Sequence, residues 1–214
     1  MAGERPDRRR RGAPILKSVQ GDGDGWVVSE RGTYHWGVHG AAGLLLRAPW
    51  HDGTPAVLLQ HRAPWSHQGG TWALPGGALD SHEEARDAAV REANEEAGLP
   101  TDRIMVHVSV VTASVPGPDG PVWTYTTVVA DAEELLDTVA NRESSELRWV
   151  PEHQVADLPL HPAFAQSWEL LRTTATVPPH ECRMEQPHTI HIEEYRFAWC
   201  QAGAGVSPRP QAPR

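Results

Sequence analysis

Residues 76–99 read GGALDSHEEARDAAVREANEEAGL: a glycine pair, a polar turn, then a run that carries Glu92, Glu95 and Glu96 beside Arg91. Advancing about 100° per residue from Ala85 puts Ala89 near 40° and Ala93 near 80°, with Glu92 near 340° and Glu96 near 20°. The two glutamates therefore sit at the edge of the alanine stripe, the face that packs on the protein. An ordinary amphipathic helix keeps its charges opposite that face, because burying an unpaired carboxylate is costly. Glu95 flanks the same place, and like charges three residues apart cost about 0.2–0.5 kcal/mol per pair even in solvent. A bound divalent cation turns that repulsion into coordination. Oxygen-only donors select a hard ion, so the cluster suits Mg²⁺ or Mn²⁺. Gly76 and Gly77 let the backbone approach a metal or phosphate that a side chain would block. The competing reading, a solvated acidic helix after a glycine turn, leaves the inward glutamates unexplained.

On either side of this helix the chain reads as strands. GAAGLLLRA suits a buried strand, and PAVLLQHR after the turn-forming HDGTP suits its hairpin partner. RIMVHVSVVTASV alternates apolar and polar residues, PGPDGP breaks the chain, and VWTYTTVVADA returns. SELRWV is a further strand, and AFAQSWELLRT after Pro162 has helical spacing through Phe164, Trp168 and Leu171. Strands, a helix, more strands and a second helix predict an α/β fold, a mixed sheet with helices packed on it. The ordered core is expected over 36–175. Before it, 1–14 reads as a basic disordered tail and 15–35 as an extension with a short strand at WVVS; after it, 176–200 reads as a second extension and 201–214 as a disordered tail.

Composition limits the function classes. The 28 Asp and Glu against 19 Lys and Arg give a net charge of −9, which disfavours binding to a nucleic acid polymer. No apolar run approaches the roughly 20 residues of a membrane helix, the N-terminus has no signal-peptide core, and there are two cysteines. A cytoplasmic protein with no membrane association is expected. Cys182, Cys200, His180, His188 and His191 invite a zinc reading, but no paired C-x-x-C or H-x₃-H spacing supports it. HTIHIEEYRFAWC reads instead as one or two strands that cover the domain or a second subunit of a homodimer.

Gly77, five residues, Glu83, seven residues, then Arg91-Glu92-Ala93-Asn94-Glu95-Glu96-Ala97-Gly98-Leu99 matches every specified position of the Nudix box. The chain thus resembles the Nudix hydrolases, and over most of 20–175 it looks like their actinobacterial MutT-type members. The resemblance implies an α/β/α sandwich around a mixed sheet over 36–175, and hydrolysis of a nucleoside diphosphate linked to a further group. In the MutT branch a nucleoside triphosphate such as 8-oxo-dGTP gives the monophosphate and pyrophosphate, in sanitation of the nucleotide pool. It implies Mg²⁺ or Mn²⁺ held by Glu92, Glu95, Glu96 and the Gly76 carbonyl, with Glu92 as general base and Arg91 orienting the carboxylates. Glu83 supports the loop and helix start. A further acidic ligand is expected in NRESSELRWV, where the spacing to Trp149 favours Glu143 over Glu146. Arg62 matches an arginine near nucleotide in MutT proteins, and Gly77 is placed with it as substrate-binding. The asparagine that reads oxidised guanine has no clear equivalent; His161, Phe164 or Gln166 of LPLHPAFAQSW stand in its region, with His161 the choice. Trp65, Trp72 and Trp123 are candidates to stack on a base or to pack in the core. The alternatives are the same chemistry on ADP-ribose, dinucleoside polyphosphates or other nucleoside triphosphates, and a nucleotide-binding regulator without turnover, against which the intact box argues.

Overall fold

The computed structural model describes residues 21–118, 120–174 and 189–191. Its strands are β1 (Trp26–Val28), β2 (Tyr34–Trp36), β3 (Ala41–Pro49), β4 (Pro55–Arg62), β5 (Trp72–Ala73), β6 (Gly76–Ala78), β7 (Met105–Gly117), β8 (Gly120–Asp131), β9 (Ser144–Pro151) and β10 (Thr189–His191). The helices are α1 (Ala85–Ala97) and α2 (Pro162–Thr173). One sheet has the order β10-β7-β8-β3-β4-β5, with β6 on β3 and β9 on β4. It is mixed, as read: β3 runs parallel to β8 and β10 parallel to β7, whereas the other neighbours are antiparallel.

The LLL run of β3 is buried on both faces because successive side chains alternate. Leu44, Leu46 and Leu58 pack with Ala88, Ala89, Ala93 and Ala97 of α1 on one face. Leu45, Val57 and Leu59 pack with Phe164, Trp168 and Leu171 of α2 on the other. Arg47 is nearly buried on the second face and donates to the Leu171 and Thr174 carbonyls at 2.6 and 2.9 Å, closing the C-terminal end of α2.

The expected β3–β4 hairpin is short. Only Arg47–Pro49 pairs with Pro55–Val57. Beyond it the strands splay, β4 taking β5 and β3 taking β6, while β9 lines the other edge of β4. β6 comes so close to β3 that a Cβ on Gly76 would collide with the Ala42 carbonyl. The strand at 26–28 is present, and its antiparallel partner β2 is too short to read from periodicity. In the second extension β10 lies on the edge of the sheet beside β7. The expected tails and the zinc reading on Cys182, Cys200, His180 and His188 lie outside the described residues. No helix among the described residues is long and apolar enough to cross a membrane.

Candidate active site

α1 buries the alanine stripe, and Glu96 with it: the residue is 4% exposed and its Oε2 accepts the Gly76 N–H at 2.9 Å. An extended residue turns its N–H and C=O to the same side. The Gly76 carbonyl therefore opens toward the α1 carboxylates. Gly77 explains itself differently from the expectation that glycine merely clears a path for phosphate. A Cβ at Gly77 would collide with the Glu92 carboxylate, which occupies that space. The helix ends where Gly98 takes φ 67° and donates its N–H to the Asn94 carbonyl at 2.9 Å, a backbone form open to glycine.

Arg91 ties the segment together. Its Nε and Nη2 donate to Glu83 Oε1 and Oε2 at 2.7 and 2.9 Å, and Nη2 also reaches the Ala78 carbonyl at 3.0 Å. Nη1 donates to Glu92 Oε1 at 2.9 Å and lies 3.6 Å from Glu95 Oε2. The bond to Glu83 pushes the Arg91 guanidinium further up from its ordinary pKa, and the same bond holds the Glu83 carboxyl below the usual range. Glu83 also accepts the Asp80 N–H at 3.2 Å, fixing the turn before α1.

The segment before β9 is fastened to the end of α1. Val139 N–H donates to the Ala97 carbonyl at 2.9 Å and Asn141 N–H to the Glu96 carbonyl at 3.2 Å. The Asn141 Oδ1 in turn accepts the Glu143 N–H at 2.8 Å, and the Glu143 carbonyl accepts the Ala63 N–H at 2.9 Å. Glu146 is turned away into a 2.6 Å ion pair with Arg148.

Among the described residues only Asp22, Asp80 and His82 bring three ligand atoms within 4.8 Å of one another. Two of these have a fastening role: Asp22 accepts from Ser81 and Asp80 from Gly23. Arg91 Nη1 sits between Glu92 Oε1 and Glu95 Oε2, and the Gly76 N–H engages Glu96 Oε2. The donor set still matches a hard cation. It is oxygen only, includes a nearly buried carboxylate, and has the Glu92 carboxylate seated where a Cβ on Gly77 would lie.

Two of the three predicted substrate residues, Arg62 and His161, lie near the end of β4, whereas Gly77 lies in β6 against Glu92. Arg62 Nε donates to the His67 carbonyl at 3.0 Å. The His67 ring lies 6.3 Å from that of His161, whose Nδ1 accepts the Ala163 N–H at 3.2 Å and caps α2. Burial, then the nearby Arg62 charge, pushes His161 down to about 4, and the same two causes lower His67. Of the residues weighed for reading the base, Phe164 and Trp72 belong to the core instead. Trp65 is exposed, as is Gln166. Trp123 stacks on His35 at 4.7 Å and donates to the Trp36 carbonyl at 3.0 Å.

Tyr125, His67 and Asn141 are not among the residues the sequence singles out. Tyr125 crosses above Gly43, where a Cβ would meet its hydroxyl, and lies within the fields of Arg62, Glu96 and Glu92. The glycine inside the GAAGLLLRA strand is the signal for it, since such a glycine marks close approach of another group.

The NUDIX domain family matches residues 38–173. A Mycobacterium tuberculosis protein named "Putative 8-oxo-dGTP diphosphatase 3" is 65% identical over 199 residues, covering 91% of this chain and 92% of its own. A Nudix hydrolase fusion protein of Bifidobacterium longum is 39% identical over 72% of this chain and 32% of its own. The crystal structure of a Nudix hydrolase from M. smegmatis, RenU, matches with a TM-score of 0.69 and 69% identity, over 73% of this chain and 98% of that one. Nudix hydrolases generally use divalent metal ions, and this chain, with the box, the fold and the braced acidic helix in place, belongs to the Nudix hydrolase family.

Proposed function

We propose that the protein is a Mg²⁺- or Mn²⁺-dependent pyrophosphohydrolase that cleaves a nucleoside triphosphate, 8-oxo-dGTP foremost, to the monophosphate and pyrophosphate. The observation that carries the reading is the Arg91 brace, which joins Glu83 on the loop to Glu92 and Glu95 on α1. The 65% identity to the protein named for 8-oxo-dGTP supports the substrate. Such sanitation acts on the nucleotide pool of the cytoplasm.

In this reading Glu92, Glu95, Glu96, Glu143 and the Gly76 carbonyl hold the divalent ion. The chemistry a cation supplies there is screening of the phosphate oxygens, which otherwise repel an incoming nucleophile. Glu92 takes the proton of the attacking water as the new P–O bond forms, and the electron pair of the breaking anhydride P–O bond leaves on the oxygen of the departing pyrophosphate or nucleoside monophosphate. Arg91 keeps Glu92 charged and in place. Arg62 supplies the fixed cation of the nucleotide side, and His161, held neutral, offers a ring nitrogen without adding charge. Gly77 gives Glu92 the room it uses.

The test is incubation with Mg²⁺ and 8-oxo-dGTP, dGTP, other deoxynucleoside triphosphates, ADP-ribose and diadenosine tetraphosphate. The highest kcat/KM is expected with 8-oxo-dGTP and no turnover in excess EDTA. Preferential cleavage of ADP-ribose contradicts the substrate, and full activity in EDTA contradicts the metal.

A further inference from the structure

The β1–β2 hairpin lies outside the matched domain, 38–173, yet it is bonded to the loop that leads into α1. Gly23 N–H donates to Asp80 Oδ1 at 3.0 Å, and Ser81 N–H donates to Asp22 Oδ1 at 2.8 Å. At its other end the Trp36 carbonyl accepts from Trp123 of β8 at 3.0 Å. Between these anchors Trp26 is half exposed, at 50%. Its ring meets those of Trp36 at 5.1 Å, His67 at 6.3 Å and Tyr34 at 6.4 Å, all edge to face. His67 is the residue whose carbonyl holds Arg62 and whose ring faces His161. Contacts therefore join Arg62, through the His67 backbone and ring, to the Trp26 indole, and Tyr125 lies within the fields of both Arg62 and the carboxylates Glu92 and Glu96.

We infer that Trp26 is a specificity-determining residue that stacks on the nucleobase of the substrate, so the N-terminal hairpin is part of the binding site. The inference rests on the nucleotide reading above. Three features select a base as the occupant. The edge contacts from Trp36 and His67 brace the indole while leaving half its surface to solvent. Arg62, held by the His67 carbonyl, and the α1 carboxylates Glu92 and Glu96 share Tyr125 as a common neighbour in their fields. Arg62 matches the charge of the phosphates joined to that base. An aromatic ring accepts any base by its π-face and leaves reading of base edges to other groups.

The test is calorimetric titration of the full chain in Mg²⁺ with dGMP and, separately, inorganic pyrophosphate. Trp26→Ala is expected to weaken dGMP by about tenfold or more, to leave pyrophosphate unchanged, and to be restored within about threefold by Trp26→Phe. Should Trp26→Ala unfold, Trp26→Leu keeps apolar volume without a π-face and takes its place. Unchanged dGMP affinity, equal weakening of both ligands, absence of dGMP binding in the wild type, or a change of sedimentation with dGMP affinity intact each overturns the inference. The last of these makes Trp26 a subunit contact instead. A wild-type chain that binds dGMP through Trp26 but cleaves no nucleoside triphosphate upholds the stacking role and sinks the reaction.

Discussion

Arg91 and Glu83, eight residues apart, form a two-point ion pair, Nε to Oε1 at 2.7 Å and Nη2 to Oε2 at 2.9 Å. The pair spans the start of α1, so it fixes where the helix begins and where Arg91 presents its remaining donor to Glu92. Replacing Glu83 by Gln breaks one arm and removes the charge that holds the guanidinium in place. Glu83→Gln is expected to lower kcat by at least about tenfold while costing only about 1–2 kcal/mol of stability. Steady-state kinetics beside a urea melt check this, and an unchanged kcat would show that the brace does not position Glu92.

Gly77 and the Glu92 carboxylate occupy adjoining space with no room for a methyl group. Gly77→Ala should therefore displace Glu92 and abolish most turnover, with the far-UV circular dichroism spectrum retained. Wild-type kcat in this variant would mean that Glu92 works from a different position.

Arg47 contributes to stability alone. It satisfies two carbonyls at the end of α2 and lies 3.8 Å from Glu152. Arg47→Ala leaves those carbonyls and the carboxylate behind in a nearly buried place, at a cost of about 2–4 kcal/mol. Chemical denaturation should show the loss, with kcat/KM at 25 °C within about twofold of wild type.

His161 caps α2 through a lone pair on Nδ1, which only an unprotonated nitrogen supplies. Its folded pKa is depressed to about 4 from 6.5, so between those values the unfolded chain binds the extra proton. The contribution to stability is complete above about 6.5 and is lost as pH falls toward 4. Melting temperatures across that range should fall less steeply for His161→Asn, whose side-chain oxygen caps without titrating. Parallel curves for the two proteins would remove His161 as the source.

The face of α1 was legible in the sequence because helical spacing alone brings Glu96 among the alanines, and Glu96 is indeed buried with them. The central strands were legible for the same reason: the apolar runs at 41–49 and 55–62 are long enough for periodicity to act. β2, β5 and β6, of two or three residues, carry no such signal. The links between Gly23 and Asp80 or Asp22 and Ser81 cross 57 and 59 residues, and no local pattern announces them. Neither does local spacing show that Arg91 Nη1 sits between Glu92 and Glu95, because a guanidinium's choice among neighbouring carboxylates is settled in three dimensions. Tyr125 could be reached only through the glycine beneath it.

The central claim is cleavage of a nucleoside triphosphate between its first and second phosphates by water that Glu92 activates. Phosphorus NMR of 8-oxo-dGTP with Mg²⁺, run with the wild type and with Glu92→Gln, tests it most directly. Monophosphate and pyrophosphate in equal amounts are expected from the wild type, and a rate for Glu92→Gln lower by about a hundredfold or more. Release of orthophosphate with a nucleoside diphosphate, or wild-type turnover by Glu92→Gln, would contradict it.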